Sequence, residues 1–237
     1  SFLDQDTRSK MGRQAVKLAR EVQYYSAGTV EFVVNPNKEF YFLEMNTRLQ
    51  VEHPVTETIT NIDLVEQMID IADNKKLKFK QDDIVVKGWS FESRLCGESP
   101  IKNFLPSAGR IKELSFPKEN IRIDSGYQSG GEVSIYYDSL LAKIISKGNN
   151  RQDAINVMQK ALQEVCIDGI DTNIDFLMDI FKNKNFINGD INTNFIEEVY
   201  KSGYRAEISN KNELEIIMIF AFCYHISYLV SVNNDIE

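Results

Sequence analysis

Cysteine, histidine and tryptophan are scarce in this chain: its 237 residues include three Cys, two His and one Trp. Cys96, Cys166 and Cys223 stand far apart and form no Cys-x-x-Cys pair. That excludes a thiolate zinc site and a disulfide framework, and predicts reduced, buried, structural thiols. Such thiol usage points to a reducing compartment, cytoplasm or an organelle matrix. Positive charge is not in excess, since 27 Lys+Arg face 35 Asp+Glu for a formal net charge of −8. A broad basic surface for nucleic acid is thereby excluded, although a local Arg cluster can still hold a small anion. Long apolar runs are absent too. Ile216 to Val230, interrupted by His225, falls short of the roughly twenty residues of a membrane span and reads as a helix that is buried in a complete protein and exposed, hence prone to self-association, in a fragment. The N-terminus shows no initiator Met, basic n-region or apolar h-region, so no signal peptide is read and Ser1 looks like the start of a fragment.

What is present is ordinary for a globular chain, with 43% hydrophobic and 26% charged residues. The length allows one large domain or two smaller ones. Apolar spacing predicts helices from Asp6 to about Tyr24 and from Ile62 to Ala72, and a longer one from Arg151 to Val165 capped by Asn150 and Asp153. Further helices are expected at Ile174 to Phe181 and near 194–200, then a linker and one apolar helix. Between them, Val85 to Leu95, Gly109 to Leu114, Ile121 to Asp124, Glu132 to Tyr137 and Leu140 to Ile145 read as short strands. A boundary falls near 75–88.

The stretch richest in chemistry is a hairpin. Thr29 to Val34 and Glu39 to Met45 flank the turn cluster Asn35-Pro36-Asn37-Lys38. A turn of two or four residues would place Glu31 opposite Phe42 and Glu44 diagonal to it, with both acids on one face and Cβ atoms about 7–8 Å apart. Two such carboxylates can converge on Mg²⁺, with Asn46 as a neutral oxygen ligand, whereas a one-residue slip would separate them. Hard oxygen donors favour Mg²⁺ over zinc or copper. The plainer alternative is a hairpin with solvated Glu side chains. Beyond the hairpin, Arg48, Gln50, Glu52 and His53 alternate with Leu49 and Val51 and run into Pro54. Arg48 can hold a planar anion through its guanidinium fork, and Glu52 can act as a general base. A local ion pair is the alternative for both, and His53 reads as structural.

At these residues the sequence resembles the biotin carboxylase family, an ATP-grasp group. The hallmark runs Glu44-Met-Asn-Thr-Arg-Leu-Gln-Val-Glu-His-Pro-Val-Thr-Glu57. The likeness extends through Gly88-Trp-Ser-Phe-Glu-Ser-Arg94, Phe104-Leu-Pro-Ser, Ile135-Tyr-Tyr-Asp138-Ser and Asp168-Gly-Ile with Thr172-Asn, so nearly all of 1–200 is covered. Within the family, Phe2-Leu-Asp, Ala27-Gly-Thr-Val-Glu-Phe, Asp124-Ser-Gly and Gly189-Asp-Ile-Asn-Thr are most similar to the propionyl-CoA carboxylase α-subunit branch.

The resemblance implies an α+β fold: residues 1–84 as the C-terminal lobe of an ATP-grasp domain, 85–200 as the strand-rich biotin carboxylase C-terminal domain, and 201–237 as a linker and the start of a segment tethering the carboxyltransferase β subunit. It implies that Glu31 and Glu44 bind Mg²⁺ (or Mn²⁺) at the ATP phosphates with Asn46 in support. Arg48, Gln50 and the Val51 backbone would bind bicarbonate, Glu52 would deprotonate it, and Arg94 would stabilise the ureido oxygen of biotin. By spacing alone Arg94 is a surface charge. ATP, bicarbonate and a biotinylated carrier domain are the implied partners, with no nucleic acid and no membrane. The family's upstream ATP-binding residues and its Met-Lys-Met biotin attachment motif do not occur here, and the fragment alone is expected to be inactive. Ser99 replaces a usual acidic residue, at what reads as a surface turn. Rival readings are the carboxylase of another acyl-CoA or of pyruvate, and a non-catalytic docking module acting through the last helix. A cytoplasmic location is expected in bacteria and a mitochondrial one in eukaryotes.

Overall fold

The computed structural model describes residues 2–205 and 211–234. Helix α1 (Gln5–Glu21) begins where Asp4 accepts a hydrogen bond from the Thr7 amide at 2.8 Å, satisfying one of the free donors of the first turn. Strands β1 (Thr29–Val34) and β2 (Phe40–Asn46) form an antiparallel hairpin. The single helix expected over 62–72 is preceded by a second one, giving α2 (His53–Thr60) and α3 (Leu64–Ala72). Pro54 sits in the first turn of α2, where its missing N–H costs nothing, and Asn61 ends the helix in the left-handed conformation at φ 58°. Asp63 then caps α3 by accepting from the Glu66 amide at 2.8 Å.

The middle of the chain is strand-rich, as expected: β3 (Trp89–Cys96), β4 (Glu98–Ser99), β5 (Leu105–Pro106), β6 (Gly109–Arg110), β7 (Glu113–Ser115), β8 (Ile121–Ser125), β9 (Glu132–Val133) and β10 (Leu140–Gly148). The run at 109–114 is divided, because β6 pairs with β9 and β7 with β11 (Cys166–Asp168). The run at 132–137 is strand for two residues only, and Ile135, Tyr136 and Tyr137 are exposed. Ser99 is buried in the β4–β5 pair, not at a surface turn. Helices α4 (Arg151–Glu164), α5 (Ile174–Lys182), α6 (Lys184–Asn188), α7 (Phe195–Val199) and α8 (Lys211–Asn234) complete the α+β chain. Asn150 caps α4 by accepting from the Asp153 amide, as its sequence indicates.

Two burial expectations fail. Cys96 is half-buried, but Cys166 and Cys223 are exposed. On α8, Ile216, Ile219, Phe220 and Phe222 are exposed, against the reading of a buried helix and in line with the exposure expected of it in a fragment. No helix among the described residues is long and apolar enough to cross a membrane.

The core lies between α4 and the three-stranded sheet β3-β10-β8. Strand alternation gives this sheet two unlike faces. Leu95, Ala142 and Ile144 belong to the core cluster, with Ile155, Met158 and Leu162 of α4. The opposite face carries Glu92, Arg94, Lys143, Arg122 and Asp124, with Arg94 and Asp124 flanking Lys143 in register. Helix α2 packs on β3 and β10 from that side. Glycine is needed where β10 turns into α4: a Cβ on Gly148 would collide with the Ala154 amide nitrogen. A Cβ on Gly88, at φ +75°, would collide with the Gly148 carbonyl oxygen in the same way.

Arg122 ties this charged face to α2. Its guanidinium donates to Glu57 at 2.7 Å and to Asp124 at 2.9 and 3.0 Å, and Glu57 is only 8% exposed. The other Glu57 oxygen accepts from the Leu64 amide at 2.8 Å, so one buried acid holds α3 and the sheet to α2. Arg122→Ala is therefore expected to destabilise the chain by about 1–3 kcal/mol, because the buried Glu57 carboxylate loses its cation and keeps only the Leu64 amide as a close donor, and Glu57→Gln by less. Urea unfolding measures both. In the core, Leu95→Ala should cost about 2–5 kcal/mol, against under about 0.5 kcal/mol for Val16→Ala on the exposed side of α1. Leu95 is 0% and Val16 48% exposed.

Candidate active site

The hairpin brings its two acids together by a route the sequence did not show. Near the turn the pairs are Phe32↔Phe42, Val33↔Tyr41 and Val34↔Phe40, around a five-residue loop instead of two or four. Continued unchanged, that register would set Glu31 opposite Leu43 and send Glu44 to the other face. The register shifts between Glu31 and Phe32, so Glu31 faces Glu44 directly rather than diagonally, followed by Val30↔Met45 and Thr29↔Asn46. The bulge thus puts both carboxylates on one face.

Asn46 Nδ2 donates to Glu31 Oε1 at 2.8 Å and to Glu44 Oε1 at 3.2 Å, and Gln50 Nε2 donates to Glu31 Oε1 at 2.8 Å. The Asn46 carboxamide was expected to offer oxygen; here it presents nitrogen, because adjacent carboxylates attract donors. A half-turn of its amide presents the oxygen instead. Among the described residues no group of three or more His, Cys, Asp or Glu could hold a metal. Two carboxylates and an amide oxygen nevertheless suit Mg²⁺, which keeps waters and shares its sphere with phosphates.

The segment after the hairpin folds over the charged face of the sheet. Arg48, Gln50 and Glu52 line one cavity of about 430 Å³ together with His53 and Gly28. Arg48 makes no local ion pair; its Nη1 donates to the Leu49 carbonyl at 3.2 Å and the side chain is exposed. Glu52 does pair, but across 42 residues of chain, with Arg94 at 2.8 Å. Arg94 is thus no isolated surface charge. His53 Nδ1 lies 2.9 Å from the Gln50 carbonyl, consistent with a structural role in the turn.

Lys143, which the sequence reading passed over, donates to the Val51 carbonyl at 3.1 Å and lies 3.4 Å from Asp124. Burial pushes the Asp124 carboxyl up, but Arg122 and Lys143 outweigh it and leave the group below its ordinary range. Glu92 is the exception on this face. Both its oxygens are buried without a hydrogen-bond partner. Burial raises it to about 7, against the pull of Lys143 and Arg94. The available signal was charge at every second position of apolar strands, as in Glu92 and Arg94 or Arg122 and Asp124.

The carbamoyl-phosphate synthase L chain ATP-binding domain matches residues 1–80, and the biotin carboxylase C-terminal domain matches residues 92–198. The mitochondrial propionyl-CoA carboxylase alpha chain of Caenorhabditis elegans is 46% identical over 237 residues, 99% of this chain and 33% of that protein. Biotin carboxylase 1 of Bacillus subtilis is 45% identical over 197 residues, 82% of this chain and 44% of that one. Among solved structures, the biotin carboxylase domain of Hydrogenobacter thermophilus 2-oxoglutarate carboxylase, in complex with MgADP, ADP and bicarbonate, superposes with a TM-score of 0.83. It is 41% identical, over 87% of this chain and 46% of that one. The chain spans about a third of the length of the curated propionyl-CoA carboxylase relative. The helix-and-hairpin part is thus similar to the carbamoyl-phosphate synthase L chain ATP-binding domain and the strand-rich part to the biotin carboxylase C-terminal domain, and over nearly its whole length the chain is similar to propionyl-CoA carboxylase alpha chains and biotin carboxylases.

Proposed function

We propose that the chain carries the bicarbonate- and biotin-facing side of a biotin carboxylase site, in a subunit of the propionyl-CoA carboxylase α type. The observation that carries this reading is the 2.8 Å contact of Glu52 with Arg94, beside a cavity lined by Arg48 and Gln50. A proton acceptor and permanent cations therefore converge beside two carboxylates suited to Mg²⁺. Residues 1–84 act as the ATP-grasp lobe, 85–200 as the C-terminal domain, and 201–237 as the start of the tether to a carboxyltransferase.

Arg48, Gln50 and the backbone at Val51 hold bicarbonate. Glu52 takes its proton while a bicarbonate oxygen attacks the γ-phosphorus of ATP, releasing ADP and forming carboxyphosphate. Carboxyphosphate splits into CO₂ and phosphate. The ureido nitrogen of biotin, on a carrier domain, gives its N–H proton to the released phosphate and attacks CO₂, as Arg94 neutralises the charge developing on the ureido oxygen. Arg is suited to that task because it stays protonated at working pH. Glu31 and Glu44, supported by Asn46, would hold Mg²⁺, which when bound neutralises phosphate charge. Such a subunit would work in a mitochondrial matrix or a bacterial cytoplasm, by analogy with its relatives.

Joined to the ATP-binding half of a biotin carboxylase, the chain is expected to support bicarbonate-dependent ATP cleavage. Glu52→Gln should lower that rate by about 10²–10⁴-fold. Undiminished cleavage in this variant would remove Glu52 as the base. Arg94→Gln should reduce biotin carboxylation more than ATP cleavage, and Glu31→Gln should raise the Mg²⁺ concentration needed for half-maximal rate. The exposed apolar side chains of α8 favour a second role in docking the carboxyltransferase. Loss of partner binding on deleting 201–237, with nucleotide chemistry unchanged, is the result expected of that role.

A further inference from the structure

Glu92 is a titratable group on the charged sheet face to which the proposed reaction gives no task. It lies two residues from Arg94 on β3, opposite Ile145 of β10, so it shares a face with Arg94 and, one diagonal away, with Lys143. Neighbours two apart on one strand face stand about 7 Å apart, within reach of an Arg or Lys side chain. Yet neither cation turns to it. Lys143 donates to the Val51 carbonyl and lies beside Asp124, and Arg94 reaches out to Glu52. On β8, Arg122 is committed to Glu57 of α2 and to Asp124. With Glu92 and His53 neutral, three cations (Arg94, Lys143 and Arg122) meet three carboxylates (Glu52, Asp124 and Glu57), His53 of α2 being the other titratable group on this side, 3.9 Å from Glu57. An ionised Glu92 would be a fourth anion, buried, repelled by Glu52 and Asp124 and attracted by Lys143 and Arg94.

We propose that Glu92 is a positioning residue for the bicarbonate segment: protonated, it leaves Lys143 on the Val51 carbonyl and Arg94 on Glu52; ionised, it draws both cations back onto the sheet and loosens residues 51–52. The proton on one buried carboxyl thereby sets whether the segment is pinned. This inference rests on the proposed function only for the meaning of the segment, since the pinning contacts exist without turnover.

The test is an NMR titration of the 237-residue chain from about pH 5 to about pH 9. It follows the Arg94 Nε signal, the Val51 carbonyl carbon and the Glu92 carboxyl carbon. All three are expected to move with one midpoint near 7, where burial places Glu92. Glu92→Gln mimics the protonated form and should hold the Arg94 and Val51 signals at their low-pH positions throughout. Flat Arg94 and Val51 signals in the unmodified chain, or the same movement in Glu92→Gln, would overturn the proposal. Should Glu92→Gln not fold, a Glu92 midpoint that differs from those of Val51 and Arg94 overturns it equally. None of these readouts needs ATP or bicarbonate, so a failed titration leaves the carboxylase reading standing, and a failed ATP-cleavage assay leaves the positioning role standing.

Discussion

The arrangement depends on one docking: residues 51–57 lie across the charged face of the β3-β10-β8 sheet and are held there by a cation from each strand. Arg94 meets Glu52, Lys143 meets the Val51 carbonyl, and Arg122 meets Glu57. The period-two alternation of strands makes this possible, because the residues between them, such as Leu95 and Ile144, enter the core against α4. A one-residue slip of β10 would turn Lys143 into that core and face Ile144 to the segment, losing both surfaces at once. Core packing and site geometry are therefore specified by the same register.

The hairpin shows a second use of register. Its two acids share a face because a bulge between Glu31 and Phe32 reverses the parity set by the turn. The extra residue is what allows Asn46 and Gln50 to converge on Glu31 as well. Side by side, the carboxylates repel, and the amide donors of Asn46 and Gln50 relieve that repulsion.

Much of the fold was legible in the sequence, because long helices and the hairpin have strong periods and clear caps. Asn150 before α4 and the turn cluster at 35–38 are instances. The division of 53–72 into two helices was less visible, since it depends on Asn61 adopting a left-handed conformation that other residues can also supply. Sequence reading also buried Cys166 and α8, because apolar character says which residues favour burial but not whether a neighbour covers them. Of the candidate site, Glu31 on the first hairpin strand and the hallmark residues Glu44, Arg48 and Glu52 were legible. Of the sheet residues only Arg94 was named, through the resemblance. Glu92, Lys143, Arg122 and Asp124 are isolated among apolar and Ser residues of their strands, and only the pairing of three strands gathers them on one face.

The ion pairs of this interface differ in a way that separates holding from exchange. Glu57 is buried and bonded to both Arg122 and the Leu64 amide, so removing its partner strands a charge with little access to water. Glu52 and Arg94 are each about half exposed, at 51% and 52% of their side chains, and an exposed pair contributes on the order of 0–1 kcal/mol. An anion or a ureido oxygen can therefore take Arg94 at small cost while the Glu57 lock keeps α2 in place. The groups proposed to meet substrate are the ones whose present partners are easiest to exchange, and the groups that fix them are hardest to move. Catalysis that works by positioning needs both kinds within one short segment, and residues 51–57 supply them five positions apart, at Glu52 and Glu57.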